Sequence, residues 1–212
     1  MIKEPAKDRL VRRRPTPPDF AIAFADGMPV PPNEHLIQEC DLVYLVGEID
    51  EFLVRLVASA LFRLAVHNRE EITLLISSEG GDVMGALAIA DAVRYVRQRG
   101  VKVVGRVHGY AASAALLVLL ACSERLATPD SVLMAHGMEG SFYIGDVRSI
   151  EAEHKLTQDL VRRMATQFAR RTNKDVGFWH AILSDSTPVY FLTDEALEIG
   201  LIDGKVPEID DA

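Results

Sequence analysis

GYAASAALLVLLACS, Gly109 to Ser123, is the stretch that decides how this chain is read. It follows VKVVGRVH, Val101 to His108, a β-branched run that reads as a buried strand, and its second part, ALLVLLA, reads as a buried helix. Ser113 therefore stands where a strand turns into a helix. The first amides of a helix have no partner inside it, so the amide of Ala114 is free to donate to an oxygen that gains negative charge. Ala111, Ala112, Ala114 and Ala115 carry only methyl groups and leave room for a carbonyl to approach. That is the arrangement of a serine nucleophile beside an oxyanion hole. The alternative is a serine that only caps its helix.

Two further strand ends add to this. Upstream, ITLLISSEGGD, Ile72 to Asp82, is an apolar strand ending in Gly80 and Gly81, which accept backbone conformations that other residues resist. Downstream, TPDSVLMAHGM, Thr128 to Met138, is a strand whose apolar run stops at His136. Backbone donors, a nucleophile and a base would thus come from three strand ends. Strand and helix patterns alternate from Leu42 onward, which predicts an α/β domain with largely parallel strands and a site at their ends. Leu53, Leu56, Val57, Ala60, Leu61 and Leu64 recur at helical spacing after a capping Asp50, and a second helix after the Gly pair should stop at Gly100.

In order, LVYLVGEID (Leu42 to Asp50), ISSEGGD (Ile76 to Asp82), GYAAS (Gly109 to Ser113), ATPDSVLMAH (Ala127 to His136) and FLTDEALEIGLID (Phe191 to Asp203) resemble the Clp protease proteolytic subunit. The match runs from about Leu36 to Val206. It implies a ClpP/crotonase-like fold of repeated strand-helix units, with a protruding handle helix over about 146–171 that interlocks two seven-membered rings. It implies a serine endopeptidase cleaving unfolded polypeptides inside a chamber, with Ser113 as nucleophile, His136 as base, and Gly81 and Ala114 binding the oxyanion. The implied partners are further copies of the chain, in heptameric rings that pair into a tetradecamer, and a Clp-type ATPase unfoldase. The nucleotide-binding pattern GxxxxGK[ST] is absent from this sequence, so ATP hydrolysis falls to another chain. No cofactor or metal is expected.

The sequence departs from the family at one position that matters. An aspartate of the resembled family falls at Val189, and a valine cannot accept the imidazole proton. Asp185 could take its place, a backbone carbonyl or water could orient the ring, or the subunit could be weak or inactive by itself. Glu79 stands where the family commonly has a proline, and its carboxylate could disfavour acidic substrates. Rival readings are a non-catalytic ring subunit, motivated by Val189, and a crotonase-like acyl-CoA enzyme that uses a Gly pair to hold a thioester oxyanion.

The rest of the composition sets bounds. With 212 residues, 49% apolar and 25% charged, the chain suits one well-cored domain, expected over 34–207. Residues 1–33 form a basic, then Pro-rich, irregular head, and 208–212 an acidic tail. Residues 1–14 carry six basic and two acidic side chains, leaving −12 of the net −8 to the remainder, an acidic body that argues against a nucleic-acid groove. Cys40 and Cys122 suggest a reducing compartment, no run is long enough to span a membrane, and the cytoplasm is the expected location.

Overall fold

The computed structural model describes residues 41–67, 69–138 and 147–206, together with a strand pair, β1 (Phe24–Ala25) and β2 (Met28–Pro29). The rest of the basic Pro-rich head, Cys40 and the acidic tail lie outside the described residues. From Leu42 the order is β3 (Leu42–Ile49), α1 (Glu51–Val66), β4 (Glu71–Gly81), α2 (Val83–Gln98), β5 (Lys102–Ala112), α3 (Ala115–Ala121), β6 (Glu124–Ala127) and β7 (Val132–Ala135). Then come α4 (Val147–Arg171), α5 (Val176–Leu183), β8 (Val189–Leu192), α6 (Thr193–Glu198) and β9 (Gly204–Lys205).

The seven strands from β3 onward form one sheet, parallel throughout except where β7 meets β8. Parallel neighbours need a crossover, and α1 and α2 supply it between β3, β4 and β5. In β4, Ile72, Leu74 and Ile76 are fully buried while Thr73, Leu75 and Ser77 between them are half-buried, the period of a strand with one face in the core. Asp50 caps α1 by accepting from the Leu53 amide at 2.8 Å, and Gly100, at φ +88°, follows the end of α2, both as the pattern required. β4 runs through Gly80–Gly81 and β5 on through Tyr110–Ala112, because pairing with neighbouring strands carries the ladder to those residues.

The sheet divides along β5. Val104 to Val107 pair with β6, whereas Tyr110 to Ala112 pair with β7. Ser131 pegs the division: its Oγ donates to the Val107 carbonyl (3.1 Å) and accepts from the Gly109 amide (3.2 Å), where φ is +81°. The end of β5 is thereby steered away from β6 and carries Ser113 with it.

Two anchors fix the C-terminal third to the sheet. Trp179 of α5 is fully buried, lies 4.7 Å from the Phe168 ring of α4 and donates its indole N–H to Thr172 Oγ1 at 2.7 Å. Arg125 of β6 is 5% exposed; its main-chain N–H and Nε bind Asp203 Oδ2 at 2.8 and 2.9 Å, and Nη1 donates to the carbonyls of Arg171 (2.7 Å) and Gly200 (3.0 Å). One guanidinium thus ties the end of α4 to the turn after α6.

The stripe Leu156, Leu160, Met164, Phe168 on α4 behaves as two halves. Met164 and Phe168 are buried against the body, while Leu156 is 55% exposed and its half of the helix is solvated on nearly all sides.

Burial alone would raise the Asp203 pKa, but the hydrogen bonds and charge of Arg125 outweigh it and hold the carboxyl below its ordinary value. A depressed folded-state pKa contributes stability that is present above the unfolded value of about 3.9 and is lost as pH falls through the folded value. Denaturant titrations should therefore show an acid-side loss of stability that is smaller in Asp203→Asn. Arg125→Ala, which leaves Asp203 with the main-chain N–H alone and takes the guanidinium from the Arg171 and Gly200 carbonyls, should cost about 1 to 3 kcal/mol at neutral pH.

Candidate active site

Three chain segments meet at the C-terminal ends of β4, β5 and β7, and the first two have unusual backbone. Ser113 has φ +53°, a left-handed conformation that costs a non-glycine residue on the order of 1 kcal/mol or more. Its amide donates to the Met134 carbonyl at 2.8 Å, so the turn is held by β7. Opposite it, Gly80 and Gly81 have φ of +95° and +138°. A Cβ at Gly80 would fall 2.7 Å from the Ala112 carbonyl and 2.8 Å from Ser113 Cβ, and one at Gly81 would fall 2.6 Å from the Ile49 carbonyl. The Gly pair is required twice over, by its dihedrals and by the approach of the serine turn.

Helix α3 begins with Ala114 as its N-cap and has no side-chain capping bond, so the serine is not used as a cap. No acceptor among the described residues takes the Ala114 amide. The Gly80 amide is already taken by Ser78 Oγ at 3.1 Å, and Ser78 in turn donates to the Gly47 carbonyl at 2.6 Å. Both glycines line the cleft, Gly80 buried and Gly81 exposed.

Ser113, Ala114, Gly81 and His136 all line one cavity of about 350 Å³. Its floor is apolar, built from Leu117 of α3, Met164 and Phe168 of α4 and Leu183 of α5. Glu48 and Glu79 also line it. The glutamate at 79 is legible in the sequence as a departure from the family; the floor residues and Glu48 carry no local signal, since four separate elements deliver them.

His136 follows β7 directly and is half-buried. It shares the cavity with Ser113, yet no hydrogen bond joins the two among the described residues. The other described histidines, His67, His108, His154 and His180, lie outside this cavity.

Among the described residues, no carboxylate forms a hydrogen bond or ion pair with the imidazole. In the antiparallel β7–β8 ladder, Val189 is paired with Ala135, the residue before His136, and its side chain packs on the core. Asp185 is close by through its backbone: its carbonyl accepts the Gly137 amide at 2.6 Å. Its carboxylate accepts the Thr187 amide at 2.8 Å, and hydrogen bonding to Thr187 lowers its pKa.

Cys122 is fully buried, and burial pushes its thiol up to about 12, so it stays a neutral packing group. Among the described residues no cluster of histidine, cysteine and carboxylate side chains could hold a metal, and no helix is long and apolar enough to cross a membrane.

A family model described as Clp protease matches residues 33–208. The chain belongs to the Clp protease family. That places it among proteases of the ClpP type, whose activity at the level of the family is serine-type peptide hydrolysis, and its α/β architecture with a mostly parallel sheet is the one this family requires. Within a Clp protease fold, the cleft at the ends of β4, β5 and β7 is where a strained serine, a Gly pair and a histidine converge.

Gly80→Ala should force the Ser113 turn apart. The expected result is a loss of roughly 1 to 3 kcal/mol of unfolding free energy in denaturant titrations. Faster amide hydrogen exchange at Ser113 should accompany it, since the Met134 bond would be strained.

Proposed function

We propose that this chain is the serine endopeptidase subunit of a chambered, ATPase-dependent degradation complex, cleaving unfolded polypeptides to short peptides. The observation that carries the reading is the single cavity gathering Ser113, His136, Gly81 and Ala114 from positions far apart in the sequence. Ser113 Oγ attacks the peptide carbonyl carbon, and His136 takes its proton and passes it to the leaving amine. Water, deprotonated by the same imidazole, then releases the acyl group from the serine. The amides of Gly81 and Ala114 receive the oxyanion. In serine hydrolases such contacts tighten when substrate is bound, so an unliganded cleft without the Ser113–His136 bond is compatible with this chemistry.

A second reading is favoured by Val189: a weakly active or non-catalytic ring subunit. Replacing the orienting carboxylate of a serine triad costs on the order of ten-thousandfold in turnover, about 5 to 6 kcal/mol of barrier. Among the described residues the His136 ring has no carboxylate partner, and the Asp185 carboxylate accepts the Thr187 amide. The crotonase-like alternative has less support, since the strained serine turn has no function in thioester binding by a Gly pair alone.

Assembly follows from the same family reading. The solvated N-terminal half of α4, with Ile150 and Leu156 exposed, suits a handle that packs against another copy in paired heptameric rings. A Clp-type ATPase unfoldase would feed that chamber. The scarcity of cysteine is consistent with a reducing cytoplasm.

Treatment with a fluorophosphonate followed by mass spectrometry should place the adduct on Ser113, and His136→Ala should abolish it. Val189→Asp should raise peptide turnover tenfold or more by restoring an acceptor for the imidazole proton. Absence of labelling in the assembled protein, with no gain from Val189→Asp, would support the non-catalytic subunit. Leu156→Glu should lower the mass of the assembly seen by native mass spectrometry without changing the fold by circular dichroism.

A further inference from the structure

The cleft lining is of two chemical kinds. One is apolar, formed by Leu117, Met164, Phe168 and Leu183; the other is acidic, Glu48 and Glu79 beside the Gly pair. Glu48 lies over Gly81, its Cγ 3.1 Å from where a Cβ of that glycine would stand. Glu79 immediately precedes Gly80 at the end of β4. Neither carboxylate forms an ion pair or hydrogen bond among the described residues, and no lysine or arginine lines the cavity.

Two uncompensated negative charges thus flank the place where a scissile carbonyl would lie. Both are solvated, so they need no partner for folding, and a cation brought to them loses little hydration. Inside a cleft with apolar walls their fields add and are screened less than on an open surface. A glutamate or aspartate of a bound chain would meet repulsion there.

We propose that Glu48 and Glu79 form a cation-recognising wall, so that the polypeptide held in this cleft carries a lysine or arginine side chain close to an apolar one. The proposal rests on the reading of the cavity as a peptide-binding active site. The apolar residue occupies the floor under α3, α4 and α5, and the basic side chain lies along the mouth beside Gly80 and Gly81. The pair sets which sequences are retained and takes no part in the chemical step.

Equilibrium binding separates this from catalysis. Fluorescent peptides identical except for Lys, Gln or Glu beside a fixed Leu are titrated into full-length assembled protein carrying Ser113→Ala, with anisotropy as readout. The lysine peptide should bind about threefold to tenfold more tightly than the glutamine peptide, with the glutamate peptide weakest. The preference should shrink at roughly 0.5 M salt and vanish in the Glu48→Gln/Glu79→Gln double variant. Equal binding of the three peptides, or a preference that survives the double variant, overturns the acidic wall. Retained lysine preference in a protein with an intact Ser113 that cleaves none of the peptides overturns the peptidase reading and leaves the wall standing. Binding of no peptide overturns both.

Discussion

The close approach of Gly80 to the Ala112–Ser113 main chain is the contact on which the cleft depends. Ser113 can hold its left-handed conformation only because its amide is fixed to Met134 and because nothing projects from the residue opposite. A side chain at position 80 would overlap Ala112 and Ser113, so the absence of a Cβ there and the strain at the serine are two halves of one constraint. Local strain of this kind persists where the surrounding structure over-determines it. Here β4, β5 and β7 do so together.

The divided sheet explains how three strand ends come to share one cavity. Because β5 changes partner from β6 to β7 beyond Gly109, its last residues point to a cleft bordered by α4 and α5 instead of continuing over β6. Ser131 holds the change by serving both sides of it. The Trp179 and Arg125 anchors then fix α4 and α5 against the sheet, which makes the apolar floor. An apolar floor and a polar rim of backbone amides and carboxylates is the usual arrangement for holding an extended chain.

The surroundings of His136 set the energetics. Ala135, the residue before it, faces Val189 across the ladder, and Asp185 presents its carbonyl to Gly137 and a carboxylate oxygen to the Thr187 amide. In the proposed peptidase, an imidazole without an orienting acceptor would spend less time in the tautomer that accepts a serine proton. The family fold and the chemistry proposed for its cleft are in this respect separable.

The order of strands and helices, the caps at Asp50 and Gly100, the parallel sheet and the strand-to-helix position of Ser113 were all determined by the sequence, because each rests on local periodicity or on a residue with restricted backbone behaviour. The stripe on α4 was legible as a stripe, but not that Met164 and Phe168 would be buried while Leu156 stayed in water, since period alone does not say where the body of the domain ends. Residues such as Glu48, Leu117 and Leu183 have no motif and become neighbours only through crossovers and through the partner change in β5. Whether Asp185 could replace the missing acid was equally a question of tertiary structure. Its distance along the chain does not reveal that its carbonyl accepts the Gly137 amide while its carboxylate accepts the Thr187 amide.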